Sequence, residues 1–321
     1  MSLERNLGGH AHERGLRELG RGLFAYLQPG GSWGWSNAGL ISDSGTSLLV
    51  DTLFDLELTR QMLDSMRPVT ATSPIEQAMN THGNGDHWYG NDLLPDGIPI
   101  IATENALQEM QALPPPTFHA LTSAELDPVL GGFVQHAFGR FDFSGIEGRL
   151  PSVSFSDQHE LRVGERPVTL LELGPAHTAG DAIVHVPGAG VVFTGDLLFI
   201  EATPIMWAGP VSNWLNACER ILELDADVLV PGHGPVTDAS GVRDVQRYLR
   251  YVRDESRARF EAGMDAEAAA DDIDISEFRD WGDPERIAVN VATTYSELDP
   301  DAPAANPVEL ITRMARWRAR H

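Results

Sequence analysis

Short apolar runs alternate with polar, glycine-bearing breaks through the first 240 or so positions, the rhythm of strands feeding loops and helices in turn. GLFAYLQ from Gly22, SNAGLIS from Ser36, the turn Asp43-Ser44-Gly45 and TSLLVDTLFD from Thr46 predict successive strands closed by a hairpin. LELTRQMLDSMRP then sets Leu56, Met62, Leu63 and Met66 on one helical face, with Pro68 as the expected stop. IEQAMNTH reads as a strand running into a glycine-bearing loop, and IPIIATE as another. Strand, helix and strand in that order predict an α/β layered fold.

Residues 105–150 break the rhythm. ALPPPTFHAL is expected to be irregular through Pro114, Pro115 and Pro116, while aromatic residues recur from Phe118 to Phe143. A cap over a site and a surface excursion packing its own rings both fit this stretch. VTLLELG, DAIVHVPG and GVVFTGDLLFI resume as strands, followed by a helix over VSNWLNACERILEL and a strand at ADVLVPGHG. From residue 239 the pattern is helical, with Val242, Val245, Leu249 and Val252 on one face and Ile287, Val291, Leu310, Met314 and Trp317 further on. The organisation expected is a main domain over 1–238 with a cap-like insertion at 105–150, and a helical extension over 239–321 packed against it.

The densest group of potential ligands is Thr81-His82-Gly83-Asn84-Gly85-Asp86-His87 at the end of a predicted strand. Two imidazoles and a carboxylate, separated by glycines, let a tight loop aim several donors at one point, and zinc takes that nitrogen and oxygen mixture. Gly, Asn and Asp also build ordinary turns, so the segment alone leaves a metal site and a plain loop equally open. His177 in GPAHTAGD, Asp196 in FTGDLLF and His233 in VPGHGPV change that balance, because each again follows an apolar strand-like run. Four strand ends carrying His or Asp point to one convergent site. Asp181, four residues after His177, is expected either to accept a hydrogen bond from a ligand imidazole or to start a strand.

The ordered set THGNGDH, AHTAGD, TGD and PGHG resembles the HxHxDH, His, Asp, His pattern of the metallo-β-lactamase superfamily over about residues 20–240. The resemblance implies a four-layer αββα sandwich with metal at one edge. One site would use His82, the position of Asn84, and His177; the other Asp86, His87 and His233, with Asp196 bridging. Asn84 stands where the family pattern has its second His, and an amide oxygen is the weaker ligand, so two zinc ions or one are implied. Asp86 would both bind metal and orient the attacking water. SNAGLI, the THxxGDHxxGN frame and ERIAVNVATTYSEL are further similar to metallo-β-lactamase-like cyclases and thioesterases of aromatic polyketide pathways, which implies a carrier-bound or free carbonyl substrate, a thioester or lactone. A metal-poor binding protein on the same fold is the reading from another class.

Composition narrows the partners. Forty-seven acidic residues face 23 basic ones, all of them Arg, for a net charge of -24, which disfavours nucleic acid. The single Cys218 excludes an internal disulfide and sits within a helical pattern as a core residue. The polar start MSLERNLGGHAHERGLRELGRG lacks a signal-peptide apolar core, and no apolar run approaches the roughly 18 residues of a membrane span. The expectation is a cytoplasmic hydrolase with no membrane partner, alone or as a homo-oligomer.

Overall fold

The computed structural model describes residues 13–28, 30, 32–299, 301 and 306–321. Its first sheet runs in sequence order through β1 (Gly15–Gly20), β2 (Leu23–Leu27), β3 (Ala38–Asp43) and β4 (Thr46–Val50), then, after helix α1 (Leu56–Thr70), β5 (Ile75–Met79) and β6 (Ile100–Thr103). Helices α2 (Glu104–Ala112), α3 (Pro115–Ser123) and α4 (Pro128–Phe138) intervene before β7 (Val153–Phe155) completes it. Pairing is antiparallel from β1 to β4 and parallel from β4 to β7. The second sheet has the order β12-β11-β10-β9-β8, from β8 (Gln158–Val163), β9 (Arg166–Glu172), β10 (Ala182–Val186), β11 (Val191–Phe199) and, beyond helix α5 (Val211–Glu223), β12 (Val228–His233). Helices α6 (Ala239–Glu261), α7 (Ala266–Asp272), α8 (Ile287–Leu298) and α9 (Pro307–Arg320) follow.

The two-residue period of the strands builds the layers. In β3 and β4, Leu40 and Leu49 point outward into a cluster with Met62 and Met66 of α1, while Ile41, Leu48 and Val50 point inward. That inner face meets Val168, Leu170, Val184, Phe193 and Val230 of the second sheet. On the far side Val192, Leu197 and Leu229 pack under Trp214, Cys218 and Ile221 of α5 and Val245 and Leu249 of α6. The result is an αββα sandwich with helices beyond it. Helices α8 and α9 join the same apolar cluster through Ile287, Val291, Leu310, Met314 and Trp317, as their spacing predicts. No helix among the described residues is long and apolar enough to cross a membrane.

Several local expectations are corrected. Strand β1 lies in the stretch read as a polar start, since only Leu19 of GLRELG is buried; an edge strand needs little more. Helix α1 runs through Pro68 to Thr70, because a proline in the last turn forfeits only one backbone bond. The prolines after Leu113 begin a helix: Pro114 is extended at the cap, and Pro115 and Pro116 fill the first turn, where no N–H is required. Residues 104–138 are thus three helices, packing Phe118, Phe133 and Phe138 into the main cluster.

Candidate metal centre

The ligand-rich loop leaves β5 and turns through a short 3-10 segment over Gly85–His87, which brings His82, Asp86 and His87 to the edge between the sheets. The second sheet supplies His177 from the connection between β9 and β10, Asp196 from within β11, and His233 from the end of β12. The edges are sewn together by backbone: Ala182 N donates to Thr81 O at 2.8 Å and Asn37 N to Gly232 O at 2.7 Å. Gly232 is obligatory, because a Cβ there would overlap the Asp196 carboxylate.

His82, His177 and Asp196 bring ligand atoms within 4.8 Å of one another, and so do Asp86, His87 and His233. Asp196 stands between the two groups. Its Oδ1 lies 3.1 Å from His87 Nε2, and its Oδ2 lies 3.3 Å from His233 Nε2, 3.4 Å from His177 Nε2 and 3.7 Å from His82 Nε2. Asp86 Oδ2 reaches His233 Nε2 at 3.3 Å. The His and Asp groups are placed for a dinuclear metal site.

The outer nitrogens fix which lone pairs face inward. His177 Nδ1 donates to Ile205 O at 2.6 Å, and His87 Nδ1 donates to Asp51 Oδ2 at 2.9 Å. His82 Nδ1 lies 3.0 Å from Thr81 Oγ1, which itself donates to Asp51 Oδ2 at 2.8 Å. In each ring Nε2 is left for the cluster, and His82 Nε2, His87 Nε2 and Asp196 Oδ1 are buried with no hydrogen-bond partner. Buried lone pairs left unmatched cost free energy unless a ligand takes them, so the donor set fits metal.

Electrostatics agree. Burial, with neighbouring imidazoles, drives His82 well below the usual range and His177 down to about 4, which keeps both neutral as ligands must be. Burial would also depress His87 and His233, but the carboxylates of Asp196 and Asp86, joined at His87 by Asp51, outweigh it: His87 rises well above its ordinary value and His233 to about 9. Burial would raise Asp196 and Asp86, yet the imidazoles hold both below the ordinary carboxylate value, Asp196 well below. The pocket attracts positive charge.

Asp51 and the Ile205 carbonyl were not anticipated. Asp181 does not reach an imidazole; it accepts from Thr178 N at 2.9 Å and from Thr178 Oγ1 at 2.7 Å, bracing the loop after His177. Asn84 does face the cluster, its amide nitrogen 3.0 Å from His177 Nε2. Replacing it by histidine is expected to raise metal from about one toward two equivalents per chain, since imidazole binds zinc better than an amide. Elemental analysis at saturating zinc checks this, and an unchanged stoichiometry would remove position 84 from the ligand set.

A cavity of about 330 Å³ opens onto the cluster. Its walls include Trp33, Phe54, Phe118 and Phe138, and residues as distant as Arg286, Leu310 and Ile311 close it. Helix α9 therefore reaches the site. Cys218 is buried under α6, with burial pushing its thiol up to about 12, an inert core residue. Of the remaining histidines, His136 lies near Asp283 and Glu285 in a third potential ligand group. Both carboxylates are already engaged, Asp283 by Arg286 at 3.0 Å and Ser32 at 2.8 Å, and Glu285 by Trp33 Nε1 at 2.9 Å. That group ties the C-terminal helices to the sandwich.

The family model for the metallo-beta-lactamase superfamily matches residues 31–233, the span from the cavity wall to the last histidine of the cluster. The chain belongs to this superfamily. Among curated relatives, the 2,4-dinitroanisole O-demethylase subunit alpha of Nocardioides sp. (strain JS1661) is 23% identical over 251 residues, 74% of this chain and 61% of the relative. This chain therefore spans about three fifths of that protein's length. Among solved structures, the metallo-beta-lactamase from Pontibacter korlensis shares the fold with a TM-score of 0.56 at 18% identity, over 74% of this chain and 99% of its own. The stereoselective inverting sec-alkylsulfatase Pisa1 from Pseudomonas sp. matches with a TM-score of 0.64 at 16% identity, over 92% of this chain and 52% of its own. A 92% match exceeds what residues 31–233 can supply, so the shared fold extends beyond that span.

Proposed function

We propose that the protein is a zinc-dependent hydrolase of a bulky, apolar carbonyl compound, a thioester, lactone or aryl ester. The observation that carries this reading is the aromatic-walled cavity ending on the His and Asp cluster. His82, Asn84 and His177 would hold one ion and Asp86, His87 and His233 the other, with Asp196 shared. Bound metal supplies a water pKa lowered to about 7 and polarisation of the carbonyl. The chain does the rest. Trp33, Phe54, Phe118 and Phe138 take the apolar body of the substrate and exclude bulk water, which strengthens every electrostatic interaction inside. Asp86 lines the same cavity, its carboxylate fixed by His233, where it can accept a hydrogen bond from the attacking water and orient it. A carrier-bound polyketide thioester falls within this class.

Metal quantitation after zinc-supplemented expression, followed by a panel of thioester, lactone, aryl ester, alkyl sulfate and aryl methyl ether, tests the reading. The last two enter because the relatives named above carry sulfatase and O-demethylase activities in their names. At least about one equivalent of metal and chelator-sensitive turnover of an acyl substrate are expected. Turnover confined to the sulfate or ether would move the chemistry off the carbonyl, and less than about half an equivalent with no turnover would favour a binding protein.

A further inference from the structure

Apart from the cluster, two charged side chains among the described residues line the cavity, Glu109 and Arg286. Arg286 is spoken for: it donates to Thr203 O at 2.8 Å, pairs with Asp283, and stacks over Trp33 with its guanidinium carbon 4.3 Å from the ring centroid. Glu109 is half committed. Its Oε1 accepts from Ala179 N at 2.9 Å, in the loop that carries His177, while Oε2 is buried with no hydrogen-bond partner. The side chain crosses directly over Gly83, between His82 and Asn84, so closely that a Cβ on Gly83 would lie 2.7 Å from Glu109 Cβ and 3.0 Å from Oε2. Glu109 thus lines the cavity beside the first ligand group with one oxygen enclosed and unpaired, where a bare carboxylate oxygen is costly.

We propose that Glu109 is the acid that protonates the departing heteroatom of the substrate. This rests on the hydrolase reading above. Water adds its oxygen to the carbonyl carbon, the bond from that carbon to oxygen or sulfur breaks, and the departing atom takes the Glu109 proton. The proton released by water returns to the Glu109 carboxylate as products leave, so the enzyme is restored. Burial raises the Glu109 pKa, against the hydrogen bond from Ala179 N that lowers it, which favours the proton-bearing form. A positioned acid of this kind contributes about 10²–10⁴-fold, and it matters most when the leaving group is a poor one.

The test is Glu109→Gln, which keeps an oxygen for Ala179 N and removes the proton. With an alkyl ester, kcat/KM should fall by about 10²–10⁴-fold, whereas a nitrophenyl ester of the same acyl group should lose less than about threefold. Metal content should be unchanged. A difference infrared spectrum of the metal-free proteins at about pH 6, where an exposed glutamate is ionised, should show a protonated carboxyl band in the parent alone. An equal loss for both esters, or loss of metal, would make Glu109 a positioning residue for the His177 loop and overturn the proposal. Should no compound be turned over, the function proposed above falls separately, and absence of the infrared band would still overturn this one.

Discussion

Replacing Asp196 by alanine is expected to strip the protein of metal, to below about half an equivalent, and to lower kcat/KM by more than about 10³-fold. The size of the effect follows from its position. Among the described residues Asp196 is the one carboxylate within 3.7 Å of all four imidazole Nε2 atoms, so it serves both ligand groups at once. Without it, four imidazoles face one another with only Asp86 to balance a divalent charge. Removing one of the histidines instead leaves the opposite group intact and should cost less metal. Elemental analysis and steady-state kinetics on Asp196→Ala and His82→Ala decide the ordering; retention of the parent's metal content with turnover within about tenfold of the parent would mean that Asp196 does not hold metal.

The second large effect is expected at Asp51, which makes no contact with the cavity. Its carboxylate accepts from Thr81 N at 2.7 Å, Thr81 Oγ1 at 2.8 Å and His87 Nδ1 at 2.9 Å, all buried. Asp51→Ala leaves three donors without an acceptor, each costing about 1–3 kcal/mol, and asks alanine to hold a φ of +63°. A destabilisation of about 3–5 kcal/mol is expected from denaturant titration of the metal-free protein. Asp51→Asn keeps the shape and should lose far less stability, yet weaken metal by about 10–100-fold, because the His87 ring loses its anionic partner. Competition with a chelator measures that affinity, and an Asn variant that binds metal as the parent does would show that Asp51 serves the fold alone.

The clustering of these His and Asp side chains was legible because each follows an apolar run: a strand buried between two layers is conspicuous, and a His or Asp at its end stands out against it. Their supports were not. Asp51 closes LLVD and looks like an ordinary strand end; its meaning depends on β4 lying beside β5 with Val50 opposite Met79, which carries Asp51 alongside Thr81. The partner of His177 is the Ile205 carbonyl, and a backbone oxygen leaves no mark in the side-chain pattern, so the nearby Asp181 was the visible candidate. The prolines at 114–116 argue for irregular chain in the sequence, yet the same residues suit the first turn of a helix. Arg286 and Leu310 reach the cavity only through helix packing across long sequence separations, which periodicity does not encode.

The division of the ligands between the sheets has a consequence for how the molecule matures. His82, Asp86 and His87 belong to the first sheet, and His177, Asp196 and His233 to the second, so neither half of the chain owns a complete binding set. An ion can be held firmly only once the halves have docked in register. Uptake of metal thus acts as an inspection of assembly: a chain with a slipped strand or an unclosed sandwich leaves both ligand groups split and is expected to hold metal weakly. Once captured, the ion works as a clasp across the seam, and at free metal about 1,000 times its dissociation constant it adds roughly 4 kcal/mol against unfolding.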